Sequence, residues 1–169
     1  YPTSYIPTYG VSQTRAKDAT TITDLQGKGV YPSLSEGTFF LDLKVNGRRD
    51  AAGSYRHIRL VNNSDSSSNR IRIYEGNSGA TSFIRADLTG GVIEQGFSAD
   101  TQNKLAVTWG SEGTKIYKNG QLAQTTAIQL SFTSTQKVLT NVLSNYNFNQ
   151  VLMFPTALTD SECIALTTI

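Results

Sequence analysis

The chain has 169 residues, of which 38% are hydrophobic and 17% are charged, and its formal net charge is +2. This length suits one domain with a sizeable core, and the small net charge without a basic helix argues against a nucleic-acid binder. The single Cys163 excludes an internal disulfide and a cysteine-based metal site, and no apolar run is long enough to cross a membrane. Because the chain begins at Tyr1 without a signal-peptide pattern, we expect it to be a piece of a longer protein.

The first residues, YPTSYIPTYGVSQ, form a segment that is rich in proline and tyrosine. They show neither the period of a strand nor that of a helix, and proline fixes φ and removes a hydrogen-bond donor. We therefore expect an extended linker arm over residues 1–13, whose tyrosines could anchor on a neighbouring domain or subunit. A single domain is expected over residues 14–169.

Short segments of alternating apolar and polar residues follow one another along that domain. They read GTFFLDLKV, YRHIRLVN, NRIRIYE, TSFIRAD, GVIEQGF, NKLAVTW, TKIYKNG, KVLTNVL and NFNQVLMF. In NRIRIYE, Ile71 and Ile73 face one way, whereas Arg70, Arg72 and Tyr74 face the other. About ten strands at this spacing predict an all-β fold, namely a two-sheet antiparallel β-sandwich of the jelly-roll type.

One short helix is predicted, and it lies at the C-terminus in ALTDSECIAL. Thr159 can cap its N-terminus, and Glu162 follows three residues later, which is the pattern of a capping box. Ile164 and Leu166 would give this helix an apolar side to bury, and Cys163 is expected to be a small buried hydrophobic residue.

Two of these stretches together resemble a known family. NKLAVTWGSEGTKIYKNGQLAQT resembles the central hairpin of laminin-G-like, concanavalin A-like jelly rolls, and NQVLMFPTALTDSECIAL is similar to their last strand and terminal helix. A third stretch, PTSYIPTYGVSQTRAKDAT, resembles a segment of tail and fibre proteins of tailed bacteriophages, where it joins an upstream module to a lectin-like jelly roll. The resemblance implies a virion or otherwise extracellular location, and it leaves open a homo-oligomer within a fibre.

The predicted hairpin contains residues with special backbone or packing requirements. Asn119–Gly120 would supply the positive φ of a tight turn, and Gly110 and Gly113 would do the same in the preceding loop. Trp109 is either a core or rim residue of the sheet or a stacking platform for a sugar.

Catalytic motifs are largely missing. The hydrolases of this fold place carboxylates at a Glu-x-Asp-x-x-Glu spacing, which is absent, and the close pair Asp160 and Glu162 is explained by helix capping. A polysaccharide lyase would need His57 and Tyr117 in one cleft with an arginine. We therefore expect no enzymatic activity and keep the lyase as a third alternative.

The loop NNSDSSSN, residues 62–69, offers oxygen ligands at Asp65, Ser67 and Asn69 with a spacing that calcium tolerates. It lacks the glycine and the closing glutamate of an EF-hand loop, so a solvated hairpin loop is the alternative. We expect no resident cofactor and leave calcium open.

Seven of the eight arginines lie between positions 48 and 85. Our candidate ligand-binding residues come from this region: Arg70, Arg72, Tyr74, His57 and Arg59. Guanidinium groups suit carboxylates and sulfates, and tyrosine adds a stacking surface, so the partner would be a glycan or a bacterial cell-surface polysaccharide. The alternative is a structural or assembly domain, in which the arginines cover the sheet or pair with acids across a subunit interface.

Overall fold

The computed structural model describes residues 21–22, 35–45, 55–62, 68–75, 81–98, 101–132, 136–140 and 146–169. Within these ranges there are eleven strands and one helix. The strands are β1 (Thr21–Ile22), β2 (Gly37–Val45), β3 (Tyr55–Asn62), β4 (Arg70–Glu75), β5 (Thr81–Leu88), β6 (Gly91–Ser98), β7 (Gln102–Gly110), β8 (Gly113–Lys118), β9 (Gln121–Thr126), β10 (Gln136–Thr140) and β11 (Tyr146–Phe154), and the helix is α1 (Asp160–Thr167). The predicted arm over residues 1–13 lies outside the described residues.

The strands form two sheets that pack face to face. The six-stranded sheet has the order β1-β10-β3-β4-β5-β6, and the five-stranded sheet has the order β11-β2-β7-β8-β9. All neighbouring strands pair in antiparallel fashion. The predicted two-sheet antiparallel sandwich with a short C-terminal helix is therefore confirmed.

The hydrophobic core lies between the sheets and is built by the apolar side of each alternating strand. Its fully buried members include Phe39, Leu41, Leu43, Leu60, Ile71, Ile73, Ile84, Leu105, Val107 and Ile116. Trp109 belongs to this core, is 0% exposed, and packs edge-on against Phe132 with the ring centroids 5.5 Å apart. It is a core residue and not a stacking platform for a sugar.

The turns around β8 depend on glycine for two different reasons. The Asn119–Gly120 turn has φ values of 48° and 80°, as predicted, and Gly113 has a φ of 97°. The expectation of a positive φ at Gly110 is wrong, because its φ lies outside the left-handed region. A Cβ atom at Gly110 would lie 3.2 Å from the Cβ of Ala157, so the close approach of that segment favours glycine there.

Helix α1 packs on the outer face of the five-stranded sheet. Cys163 is buried there against Phe40, Ala106 and Tyr117, with Leu166 partly buried beside them. This contact fixes the C-terminus of the chain over β2, β7 and β8. The described residues contain no helix that is long and apolar enough to cross a membrane.

The N-terminal cap of α1 and its buried side fix where the helix begins and how it is oriented. Thr159 and Glu162 form the predicted capping box through both reciprocal hydrogen bonds. The expectation that Ile164 is buried is wrong, since it is 38% exposed. The buried side of the helix passes through Cys163 and Thr167, which are four residues apart, and Ile164 lies about 100° around the axis from Cys163.

Candidate functional site

Strands β4 and β5 bring charged side chains together on the outer face of the six-stranded sheet. The two isoleucines of β4 face the core, so Arg70, Arg72 and Tyr74 point outward, as the alternation predicted. The strand register sets Arg70 opposite Asp87 and Arg72 opposite Arg85. Cross-strand pairing therefore brings these four positions into one cluster.

Asp87 lies at the centre of this cluster. Its carboxylate accepts hydrogen bonds from Nε of Arg70 at 2.7 Å and from Nε of Arg85 at 2.6 Å. Nε of Arg72 lies 2.9 Å from Oδ2, and Nη2 donates to Oδ1 at 3.4 Å. The Nε–H of Arg72 is not aligned for a hydrogen bond, so that contact is electrostatic. Three guanidinium groups thus share one carboxylate.

Glu94 of β6 supplies a second carboxylate next to the first. The Tyr74 hydroxyl donates a hydrogen bond to Glu94, and Nη1 of Arg85 lies 3.5 Å from the same Oε2 atom. Among the ion pairs of the described residues, the three guanidinium groups of Arg70, Arg72 and Arg85 therefore face two carboxylates.

Two aromatic rings lie beside the arginines. Tyr74 and Phe83 stack with their ring centroids 5.4 Å apart and their planes 20° apart. The guanidinium carbon of Arg72 lies 4.8 Å from the centroid of the Tyr74 ring, a cation–π contact. Both rings are half-buried, and Phe83 is paired with Gly96, which adds no side chain to that part of the face. The rings form a small apolar platform next to a cationic cluster.

We refer to this surface as the arginine face. It consists of Arg59, Arg70, Arg72, Tyr74, Phe83, Arg85, Asp87 and Glu94. The alternation also leads one to expect that Arg70 and Arg72 are exposed, and this is wrong, because they are only 7% and 8% exposed. Their partner Asp87 is on the neighbouring strand, so both arginines have an acidic partner within the chain.

The charges on the arginine face shift several pKa values. Burial alone would raise the pKa of Asp87, but the hydrogen bond from Arg70, the charge of Arg72 and the hydrogen bond from Arg85 outweigh it and lower this pKa. Burial lowers the pKa of the Arg72 guanidinium, and it raises the pKa of Tyr74, which also donates to Glu94. At neutral pH Asp87 is therefore ionised and Tyr74 is a neutral donor.

The remaining candidate residues lie on β3, which pairs with β4. Arg59 is half-buried and pairs with Arg72, so it joins the arginine face. His57 lies at an irregularity of the β3–β4 register between Arg56 and Ile58, and its side chain lies outside the described residues.

Sequence reasoning missed four members of the arginine face. These are Phe83, Arg85, Asp87 and Glu94. Three of them alternate in TSFIRAD, so the period of that strand carried the signal. That Glu94 approaches them depends on the register of β5 and β6.

A cavity of about 450 Å³ lies on the opposite side of the sandwich, between the β7–β8 loop and the start of α1. Its lining includes Glu36, Glu112 and Asp160, together with Lys115. The ammonium of Lys115 is 2.7 Å from Asp160 and 3.0 Å from Glu112. Because carboxylates outnumber cations there, the cavity repels an acidic ligand.

The lyase alternative requires His57 and Tyr117 to lie in one cleft. The two residues belong to different sheets. Tyr117 is 0% exposed beneath α1, and its hydroxyl donates to Asp160 at 2.8 Å. It belongs to the five-stranded sheet and points away from the core, whereas His57 belongs to β3 of the other sheet.

The possible calcium loop is only partly covered. Asp65 and Ser67 lie outside the described residues, and the side-chain amide of Asn69 donates to Thr89 at 2.9 Å. In the part of the chain that the structure describes, no group of three or more His, Cys, Asp or Glu side chains could hold a metal ion.

No protein-family model matches this sequence, and no curated protein matches it significantly. Solved structures do match. The CBM40 of Ruminococcus gnavus IT-sialidase bound to α2,3-sialyllactose has a TM-score of 0.62 and 17% identity, over 90% of this chain and 93% of that one. The two proteins share a two-sheet β-sandwich fold.

Two further matches come from larger proteins. A leech intramolecular trans-sialidase in complex with 2,7-anhydro-Neu5Ac has a TM-score of 0.61 and 18% identity, over 90% of this chain and 26% of that one. Botulinum neurotoxin type C, whose cell entry depends on two ganglioside molecules, has a TM-score of 0.59 and 16% identity. The match covers 86% of this chain and 38% of that one. At these identities the similarity establishes the fold.

Proposed function

We propose that this chain is a non-catalytic module that binds an acidic glycan on its arginine face. The observation that carries the proposal is the gathering of Arg70, Arg72 and Arg85 beside the stacked rings of Tyr74 and Phe83. A sugar carboxylate suits guanidinium groups, and the apolar side of a pyranose ring suits an aromatic platform.

The structural neighbours support a ligand of this chemistry. The module from Ruminococcus gnavus is bound to sialyllactose, and cell entry of the neurotoxin depends on gangliosides, so both partners carry a glycan. Sialyllactose carries a carboxylate on a pyranose ring, which is the combination that the arginine face could accommodate.

The mode of binding would be shallow and weak at each site. Arg70 and Arg72 are mostly buried, so a ligand would reach only the outer edges of their guanidinium groups. Repetition of the module in an oligomeric fibre would raise the overall affinity by multivalency. A phage tail or fibre protein, acting outside the cell on a host glycan, is the context that the N-terminal segment supports.

Titration of the folded chain with 3′-sialyllactose tests the proposal. We expect saturable binding to the wild type and a loss of affinity of about tenfold or more in Arg72→Gln, because a charge-assisted hydrogen bond is removed. Arg85→Gln, at a more exposed position, serves as a second variant if the first is unstable.

Lys44→Gln is the matched control. It removes one positive charge from β2, on the other sheet, and should leave the affinity within about twofold. No binding by a folded wild type, or equal losses in Arg72→Gln and Lys44→Gln, would contradict an acidic-glycan site on the arginine face.

A role in assembly is the second candidate function. Val151 and Leu152 of β11 are 41% and 37% exposed, and β11 is an edge strand among the described residues. Exposed apolar side chains on an edge strand favour contact with another chain. Light scattering would favour this role if it shows an oligomer of the wild type that dissociates in Val151→Lys, and if the wild type binds no glycan.

A further inference from the structure

We infer that Asp87 is a positioning residue of the proposed glycan site, which holds the arginines by their Nε edges and leaves terminal amino groups for the ligand. The inference rests on the proposed function and deepens it. Asp87 is a buried acid and would repel an anionic ligand at long range. The inference nevertheless gives it a required role in binding such a ligand.

All three arginines contact Asp87 through Nε. The distances are 2.7 Å for Arg70, 2.9 Å for Arg72 and 2.6 Å for Arg85. A guanidinium group has one edge formed by Nε and a terminal amino group, and another formed by both terminal amino groups. Asp87 therefore occupies the first kind of edge on each arginine.

The terminal amino groups are left unoccupied on part of the face. Within the described residues, Arg70 makes its only hydrogen bond and ion pair through Nε. Its terminal nitrogens make no hydrogen bond or ion pair with another described residue, and they are not among the buried side-chain atoms that lack a partner. The same holds for Nη1 of Arg72, whose contacts with Asp87 involve Nε and Nη2.

A ligand carboxylate can therefore bind without displacing Asp87. The two acids would use different edges of the same guanidinium groups, so Asp87 is not a competitor for the site. Its own burial, at 4% exposed, fixes its position in the sheet. Without it, three neighbouring cations would repel one another, and each arginine would recover the rotamer freedom that binding must then remove.

The ionisation of Asp87 supports this role. Burial opposes its ionisation, but Arg70, Arg72 and Arg85 outweigh that effect and lower its pKa. The carboxylate is therefore charged at neutral and mildly acidic pH. Of the groups that face it, Glu94 is ionisable but contacts Arg85 and Tyr74, so it stabilises the outer side of the same cluster.

The test is a titration of Asp87→Asn with 3′-sialyllactose. We expect the affinity to fall about tenfold or more relative to the wild type, as for the loss of a hydrogen bond to a charged group. Asp42→Asn is the matched control, because it removes the same charge from β2 on the other sheet and should bind within about twofold of the wild type.

A second readout separates positioning from a purely structural role. In ¹⁵N spectra of the arginine side chains, the Nε–H signals of Arg70 and Arg85 should exchange slowly with water in the wild type and rapidly in Asp87→Asn. A purely structural role would lower the melting temperature and leave the affinity of the folded variant unchanged.

The possible outcomes are distinct. Unchanged or tighter binding by folded Asp87→Asn overturns the inference, while the proposed function stands. If the wild type does not bind 3′-sialyllactose at all, the proposed function fails and Asp87 has no ligand to position. If Asp87→Asn does not fold, Asp87→Glu decides: it keeps the charge but displaces the carboxylate by one methylene, and full affinity in this variant overturns the inference.

Discussion

Gly113 and Gly90 both adopt a positive φ, of 97° and 89°, but their surroundings differ. A Cβ atom at Gly113 would lie 2.1 Å from the carbonyl oxygen of Thr126 and 2.9 Å from Cα of Ala127. At Gly90 no heavy atom lies within 4 Å of such a Cβ atom. The two positions therefore separate backbone strain from steric exclusion.

Alanine at these positions should destabilise the protein to different extents. Gly90→Ala adds only the strain of a positive φ, about 1–2 kcal/mol of unfolding free energy. Gly113→Ala adds a clash with backbone atoms, so we expect a loss of more than about 3 kcal/mol or no folded protein. Urea denaturation of both variants measures the difference, and equal losses would show that β9 moves away from β8 at little cost.

At the scale of elements, α1 is a short helix whose stability depends on its first turn and on the sheet beneath it. Thr159 accepts a hydrogen bond from the Glu162 amide, and Glu162 accepts one from the Thr159 amide. Asp160, in the same turn, accepts from both Lys115 and Tyr117 of β8. The helix start is thus fixed by its own cap and by two side chains of the sheet.

Thr159→Ala should lower the free energy of unfolding by about 1 kcal/mol, because it removes the side chain that caps the helix. Thr156→Ala is the control, since only the backbone carbonyl of Thr156 takes part in a hydrogen bond among those described, from Thr38. Chemical denaturation followed by fluorescence of Trp109 measures both. Similar losses in the two variants would mean that the capping box contributes nothing measurable.

The elements were predictable because strand alternation and the capping box are local signals. The arginine face was predictable only in part: Arg70, Arg72 and Tyr74 share a strand, but Asp87 becomes their partner through the register of β4 and β5. The requirement for glycine at position 110 likewise depends on a segment that is distant in sequence. A single sequence carries no direct signal for contacts between distant segments. The exposure of Ile164 was mispredicted for the same reason, because it depends on how α1 lies on the sheet.

At the scale of the whole molecule, carboxylates with lowered pKa values, among them Asp87 and Asp160, link stability to pH. Hydrogen bonds from Lys115 and Tyr117 lower the pKa of Asp160, and the three arginines lower that of Asp87 against the effect of burial. The unfolded chain regains ordinary values near 3.8, so it binds more protons in the acidic range than the folded chain does. The contribution of these groups is complete above that range and is lost as the pH falls.

We therefore expect the free energy of unfolding to be nearly constant down to about pH 5 and to fall steeply below about pH 4. Asp87→Asn should be less stable at neutral pH, and its stability should fall less between about pH 5 and pH 2. Urea titrations across this range measure both curves. Parallel curves for the two proteins would mean that Asp87 titrates alike in the folded and unfolded states.

The strand order makes closure of the sandwich depend on β10 and β11, which follow all the other strands in the sequence. Thr38 accepts a hydrogen bond from the amide of Leu158, 120 positions later, and β10 and β11 pair with the early strands β3 and β2. During synthesis β2 and β3 therefore each keep one open edge until β11 and β10 leave the ribosome, and such edges can pair with other chains. Nascent chains that stall before β10 should be much more prone to aggregation than the complete domain.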